Sequence, residues 1–160
     1  MANQFNFIRV DNFLDDMNRE ECFDTQDMDG VSPNFKFVLA SECSPNIEDC
    51  LDEDGTLKMP YDASTKTGVT LIETEGVDDG YCSLLWNKGI NGERNIGLAD
   101  STVSYDLGED PVSIKGIFLV AISNGTGYVL AYCILDKALE KDGTLILPCQ
   151  GSLWSIRYGV

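Results

Sequence analysis

The sequence predicts a mainly β fold, an antiparallel β-sandwich or barrel-like domain with one short N-terminal helix, and three observations carry that prediction. Turn dipeptides recur along the 160 residues, at Asp29-Gly30, Asp54-Gly55, Asp79-Gly80, Asn91-Gly92, Asn124-Gly125 and Asp142-Gly143. Each supplies the positive φ that a tight turn needs. Between them lie short runs rich in β-branched and aromatic residues, and helical periodicity is scarce. Regular short strands separated by such turns are the pattern of sandwiches and barrels.

Taken in order, the chain opens with "ANQFNFIRV" at residues 2–10, where Phe5, Phe7 and Val10 are the apolar positions of a polar run. Asp11 is placed to cap a helix over residues 12–22 with Phe13, Leu14 and Met17 on one face. Residues 1–22 therefore read as an N-terminal arm plus short helix on a single β-rich domain spanning 1–160. Strands are expected over 35–40, 68–73, 81–86, 102–105, 114–122, 128–135, 144–147 and 153–158. Residues 37–60 and 128–148 also echo each other, "FVLA" against "YVLA" at the start and "DGTLKMP" against "DGTLILP" at the end. The echo predicts two related strand-turn-strand units.

The stretch "GIFLVAISNGTGYVLAYCIL", residues 116–135, is apolar except at its middle. A strand with one face in water alternates polar and apolar residues, whereas Ile117-Phe118-Leu119-Val120-Ala121-Ile122 does not alternate. Both faces of this hairpin must be covered. The protein's own loops are one expected cover; a partner subunit is the other, which makes Ile117, Phe118 and Val120 interface candidates beside Phe5, Phe7, Val10 and Trp154.

Composition bounds the function. The chain carries 27 Asp and Glu against 11 Lys and Arg, a net charge of −16. Such a surface repels phosphate backbones, so no direct contact with nucleic acid is expected. The charge is uneven, with a net of −10 over residues 1–60, −7 over 61–110 and +1 over 111–160. No run is long and apolar enough to span a bilayer, and the start has neither the basic nor the apolar region of a signal peptide. The expectation is a soluble, non-secreted protein without a membrane partner.

Histidine is absent from the sequence, which removes the Ser-His-Asp and Cys-His arrangements, the histidine general base and the mixed Cys/His zinc sites. Neither GxGxxG nor GxxxxGK[ST] occurs, so no phosphate loop is expected. Carboxylate clusters at "DTQDMDG" (24–30) and "DEDG" (52–55) invite calcium. Aligned on their glycines with a helix-loop-helix calcium site, they put Thr25 and Lys36, or Cys50 and Tyr61, where acidic ligands are required. Trp86, Tyr105, Tyr128, Trp154 and Tyr158 are the aromatic residues from which a sugar or peptide groove could be built, with sheet packing as the plainer role. The cysteines at 22, 43, 50, 82, 133 and 149 form no CxxC and read as free thiols, with Cys43 and Cys50 able to pair in an oxidising milieu. The expected protein is not an enzyme and has no cofactor, no catalytic residue and no metal ligand.

From residue 99 onward the pieces "KGIFLV", "GYVLAYCIL" and "DGTLILPCQGSLWSIRY" resemble the endings of small virion structural proteins of tailed bacteriophages, the crAss-like group among them. The likeness covers roughly the final 60 residues. It implies a non-catalytic β-rich subunit of the phage head or its attachments, and the family supplies no site residues to carry over. The expectation is an auxiliary or decorating capsid protein that binds the major capsid protein or other virion subunits, located in the virion after assembly in the host cytoplasm, with homo-oligomerisation open. The alternatives are another virion component (head fibre, connector or tail) and a soluble β-sandwich module that binds carbohydrate or calcium.

Overall fold

A computed structural model of the chain describes residues 8–10, 31–74, 80–88, 93–98, 102–123, 126–148 and 152–157. The fold is mainly β and antiparallel, as expected. Ten strands are described: β1 (Ile8–Arg9), β2 (Val31–Cys43), β3 (Val69–Leu71), β4 (Tyr81–Lys88), β5 (Glu93–Leu98), β6 (Thr102–Asp106), β7 (Val112–Ser123), β8 (Thr126–Lys141), β9 (Thr144–Pro148) and β10 (Ser152–Arg157). All eight expected strands are among them. The expected helix over 12–22 lies outside the described residues, and the one helical element among those described is a 3₁₀ turn, η1 (Ile47–Cys50).

The main sheet runs β1-β8-β7-β2-β4-β5-β10, with β3 beside the end of β2, and β6 pairs with β9 in a separate two-stranded sheet. The long hairpin of the sequence is β7 and β8. Its register closes with Ser123 opposite Thr126. Gly55, Gly80 and Gly143 all have positive φ, at 82°, 82° and 67°, so three of the Asp-Gly dipeptides act as the turn chemistry requires.

The non-alternating hairpin is buried on both faces by this chain. Ile117, Leu119 and Ala121 of β7 join Phe35, Phe37 and Leu39 of β2 in one core, which β6 and β9 close through Val103, Tyr105 and Leu145. Phe118 and Val120 point the other way, into a second core with Ala40, Cys43 and Val129. Residues 44–71 roof that side with Cys50 and Val69, and with Ile47, Leu51 and Leu57 at its margin. The cover is therefore the protein's own loop on one side and its own second sheet on the other, which is why β7 needs no polar face.

The hairpin register is irregular where β7 runs past the last residue that pairs with β2, at Gly116. Ile114 faces Leu139 but Gly116 faces Ile134, so residues 135–138 of β8 stand against Lys115 alone. The Lys115 ammonium donates to the Asp136 carbonyl at 2.8 Å, giving a partner to a group inside this irregular stretch. Past this stretch β8 turns through Asp142-Gly143 into β9, as a strand does when it changes sheets.

The internal echo does not survive as a structural repeat. Residues 128–148 are strand, turn and strand, β8 into β9. Residues 37–60 run instead from β2 through η1 into a loop in which Leu51 and Leu57 make only an isolated bridge. Leu145 of "DGTLILP" is buried against β6, whereas Lys58 and Met59 of "DGTLKMP" are exposed.

Candidate interaction surface

The described part of the N-terminal arm docks on this chain's own sheet. Ile8 and Arg9 lie antiparallel to Tyr132 and Ala131 of β8, and the Val10 amide donates to the Leu130 carbonyl at 3.0 Å. Val10 is half-buried and packs against both cores. It is thus an anchor of the arm within the chain. Ile8, two residues earlier, is 57% exposed, as is Met59, the two large apolar side chains left most open to solvent among those described.

Ile8 borders a groove of about 470 Å³ whose other walls include Ile47, Tyr132, Ile134, Leu135 and Lys115. The apolar walls come from β8 and from the turn of η1. That turn is held by the Asn46 side chain, which accepts from the Glu48 amide at 3.2 Å, an N-cap that a short polar side chain provides. Lys115 and Asp136 are tied to each other in the irregular stretch. The surface thus offers apolar contact area with its cation already engaged.

Met59 borders a second, more open groove of about 670 Å³, formed by residues 58–63 with Thr65 and Thr67. Here Asp62 accepts from the Ser64 amide at 2.9 Å and from the Ser64 hydroxyl at 2.6 Å. Those bonds, the hydroxyl first, hold its carboxyl below the usual carboxylate range. An exposed carboxylate kept ionised in this way is poorly suited to carrying a proton at neutral pH.

The seven residues singled out from sequence are not brought together. Ile117 and Phe118 are fully buried and Val120 nearly so; they are packed inside the chain, and a partner that docks on the folded protein does not touch them. Val10 sits at the edge of β8, and Trp154 lies opposite Ile96 on β10, at the far end of the sheet. Phe5 and Phe7 lie outside the described residues. Among the aromatic candidates for a groove, Tyr105 is core, its hydroxyl donating to the Phe37 carbonyl at 2.6 Å. Sequence reasoning passed over Ile8 and Met59. Ile8 stands inside the arm already singled out, and Met59 occupies the place of Leu147 in the broken echo, so the signal for Met59 was a departure from a repeat. Among the described residues no three acidic or cysteine side chains converge as a metal site would, and the acidic run 24–30 lies outside them. No helix of the described residues is long and apolar enough to cross a membrane.

No protein-family model, curated protein or solved structure is significantly similar to the chain.

Proposed function

We propose that this protein is a non-enzymatic structural subunit of a phage virion, an auxiliary capsid protein that binds the shell formed by the major capsid protein. What supports the reading is the resemblance read from the sequence of residues 99–160 to the endings of tailed-phage virion proteins; in the fold those residues supply β6 to β10. Charge supports it. The exposed acids Asp52, Glu53 and Asp54 sit in the acidic first third of the chain, while the near-neutral last third builds the β8 side of the groove beside Ile8. A subunit that lays its neutral side on the shell and turns its acidic loops outward avoids both self-association and packaged DNA.

Copy number tests the proposal. Quantitative mass spectrometry of purified particles should find the protein in hundreds of copies, and imaging of the same particles should place it on the shell. A dozen copies or fewer would move it to a connector or tail, and absence from particles would refute a virion role. Within the shell reading, Ile8→Asp should lower occupancy on particles at least several-fold while leaving the free protein folded; unchanged occupancy would remove the Ile8 groove from the contact.

A further inference from the structure

Cys43 and Cys50 are seven residues apart in sequence and meet in the second core. Cys43 ends β2 and Cys50 ends η1. Their exposures are 6% and 0%, both are free thiols, and both side chains belong to one buried cluster. The Cys50 thiol also reaches the Ser44 carbonyl oxygen at 3.4 Å. The Cys43 sulfur lies against Gly116, where an added Cβ would stand 3.0 Å from it.

The backbone on either side is anchored. The Ser44 amide donates to the Gly68 carbonyl at 3.1 Å, the Gly68 amide to Asp49 at 2.8 Å and the Lys58 amide to Cys50 at 2.8 Å. Two thiols in one core, the Cys50 sulfur against the carbonyl of the residue after Cys43, are placed by anchored segments to close to the bonded separation of about 2.05 Å.

We infer that Cys43 and Cys50 form a modification site, a buried thiol pair that hydroperoxides oxidise to an intrachain disulfide. The division of labour follows from the influence of each sulfur on the other. The neighbouring Cys50 sulfur and burial hold the Cys43 thiol protonated, its pKa raised; the Cys43 thiol beside Cys50 lowers the pKa of Cys50. Cys50 is therefore the attacking sulfur. Its thiolate takes one oxygen from the peroxide, the O–O bond breaks, and the departing hydroxide leaves as water with the proton that Cys50 released. Cys43 then attacks the Cys50 sulfenic acid; the S–S bond forms, the S–O bond breaks, and the proton of Cys43 leaves with that oxygen as a second water. Two thiols and one hydrogen peroxide give one disulfide and two waters, with two electrons passing from sulfur to oxygen. Burial selects the oxidant, because a small uncharged peroxide can reach the pair where a bulky disulfide such as oxidised glutathione cannot. The bridge would tie η1 to the end of β2 and so fasten the roof of the second core.

The test uses the full chain, reduced, desalted and exposed to hydrogen peroxide in folding buffer, then alkylated in denaturant and digested by a protease that cuts at acidic residues between the two cysteines. The expected product is about two mass units lighter than the reduced chain, reverts with dithiothreitol, and carries a Cys43–Cys50 crosslink while Cys22, Cys82, Cys133 and Cys149 remain alkylated. Cys43→Ser should accumulate a sulfenic acid on Cys50 that dimedone traps, and oxidised glutathione should crosslink the wild-type pair at least tenfold more slowly than peroxide at equal concentration. Persistent alkylation of both Cys43 and Cys50 after peroxide treatment would overturn the inference, as would crosslinks to other cysteines instead. The wild-type peptide map decides even if the serine variant fails to fold.

Discussion

At the scale of single residues, two close approaches shape the cores. Gly116 marks the point where β7 passes under Cys43 and beside the Phe118 ring, and an added Cβ would come within 3.0 Å of the former and 3.2 Å of the latter. Gly116→Ala should cost about 1–3 kcal/mol in chemical denaturation, the usual range for overpacking a tight core. Cys43→Ala in the same background should recover part of that loss, and a double-mutant cycle with no coupling would disprove the contact. Gly80 is the second case: its φ is 82°, and a Cβ there would collide with the Phe37 carbonyl and the Tyr105 ring. Tyr105→Phe removes the hydroxyl that donates to Phe37 at 2.6 Å and should cost about 1 kcal/mol, the net worth of an ordinary buried hydrogen bond. A loss below measurement would mean that water replaces the hydroxyl.

Among the elements, the N-terminal arm carries the clearest expectation. As an apolar arm preceding the domain, it could have belonged to a neighbouring subunit. Its described part instead pairs with β8 and places Val10 between the two cores. Deleting residues 2–10 should therefore lower the melting temperature of the free protein, by about 2–4 °C for each kcal/mol lost in a chain of this length, and should leave the β8 edge open to aggregation. Melting unchanged by the deletion would return the arm to a neighbour. The apolar stretch of β7 responds differently, because both its faces are internal. Phe118→Ala should cost about 3–5 kcal/mol, a loss to be read in unfolding of the free protein, with no shell present.

For the whole molecule, charge is the dominant long-range term. A net of −16 on 160 residues repels itself, and added salt screens that repulsion over a distance that shrinks to about 3 Å at 1 M. Raising sodium chloride from low ionic strength to about 0.5 M should raise the melting temperature, measured with a probe indifferent to salt. A fall would mean that attractive ion pairs outweigh the net repulsion. Far-UV circular dichroism should be dominated by strand, as the ten described strands require.

The mainly β class, the turns at Gly55, Gly80 and Gly143 and all eight expected strands were legible in the sequence, because each depends on local chemistry: Asp-Gly permits tight turns, and β-branched and aromatic runs favour extended backbone. The unbroken apolar run of β7 also announced, correctly, that both its faces would be covered. What covered them was decided by tertiary structure alone. Residues 44–71 hold no long apolar run, and their role as a roof rests on scattered side chains, Ile47, Leu51, Leu57 and Val69, that only the fold brings together. The two unpredicted strands have the same explanation. Ile8–Arg9 is too short to show a period, and "ERNIGL" is too polar to stand out, so each becomes a strand because the exposed edge of a neighbour offers it hydrogen bonds. Whether an apolar residue faces a partner or the interior depends on the second layer of structure, and no spacing within one strand encodes that layer.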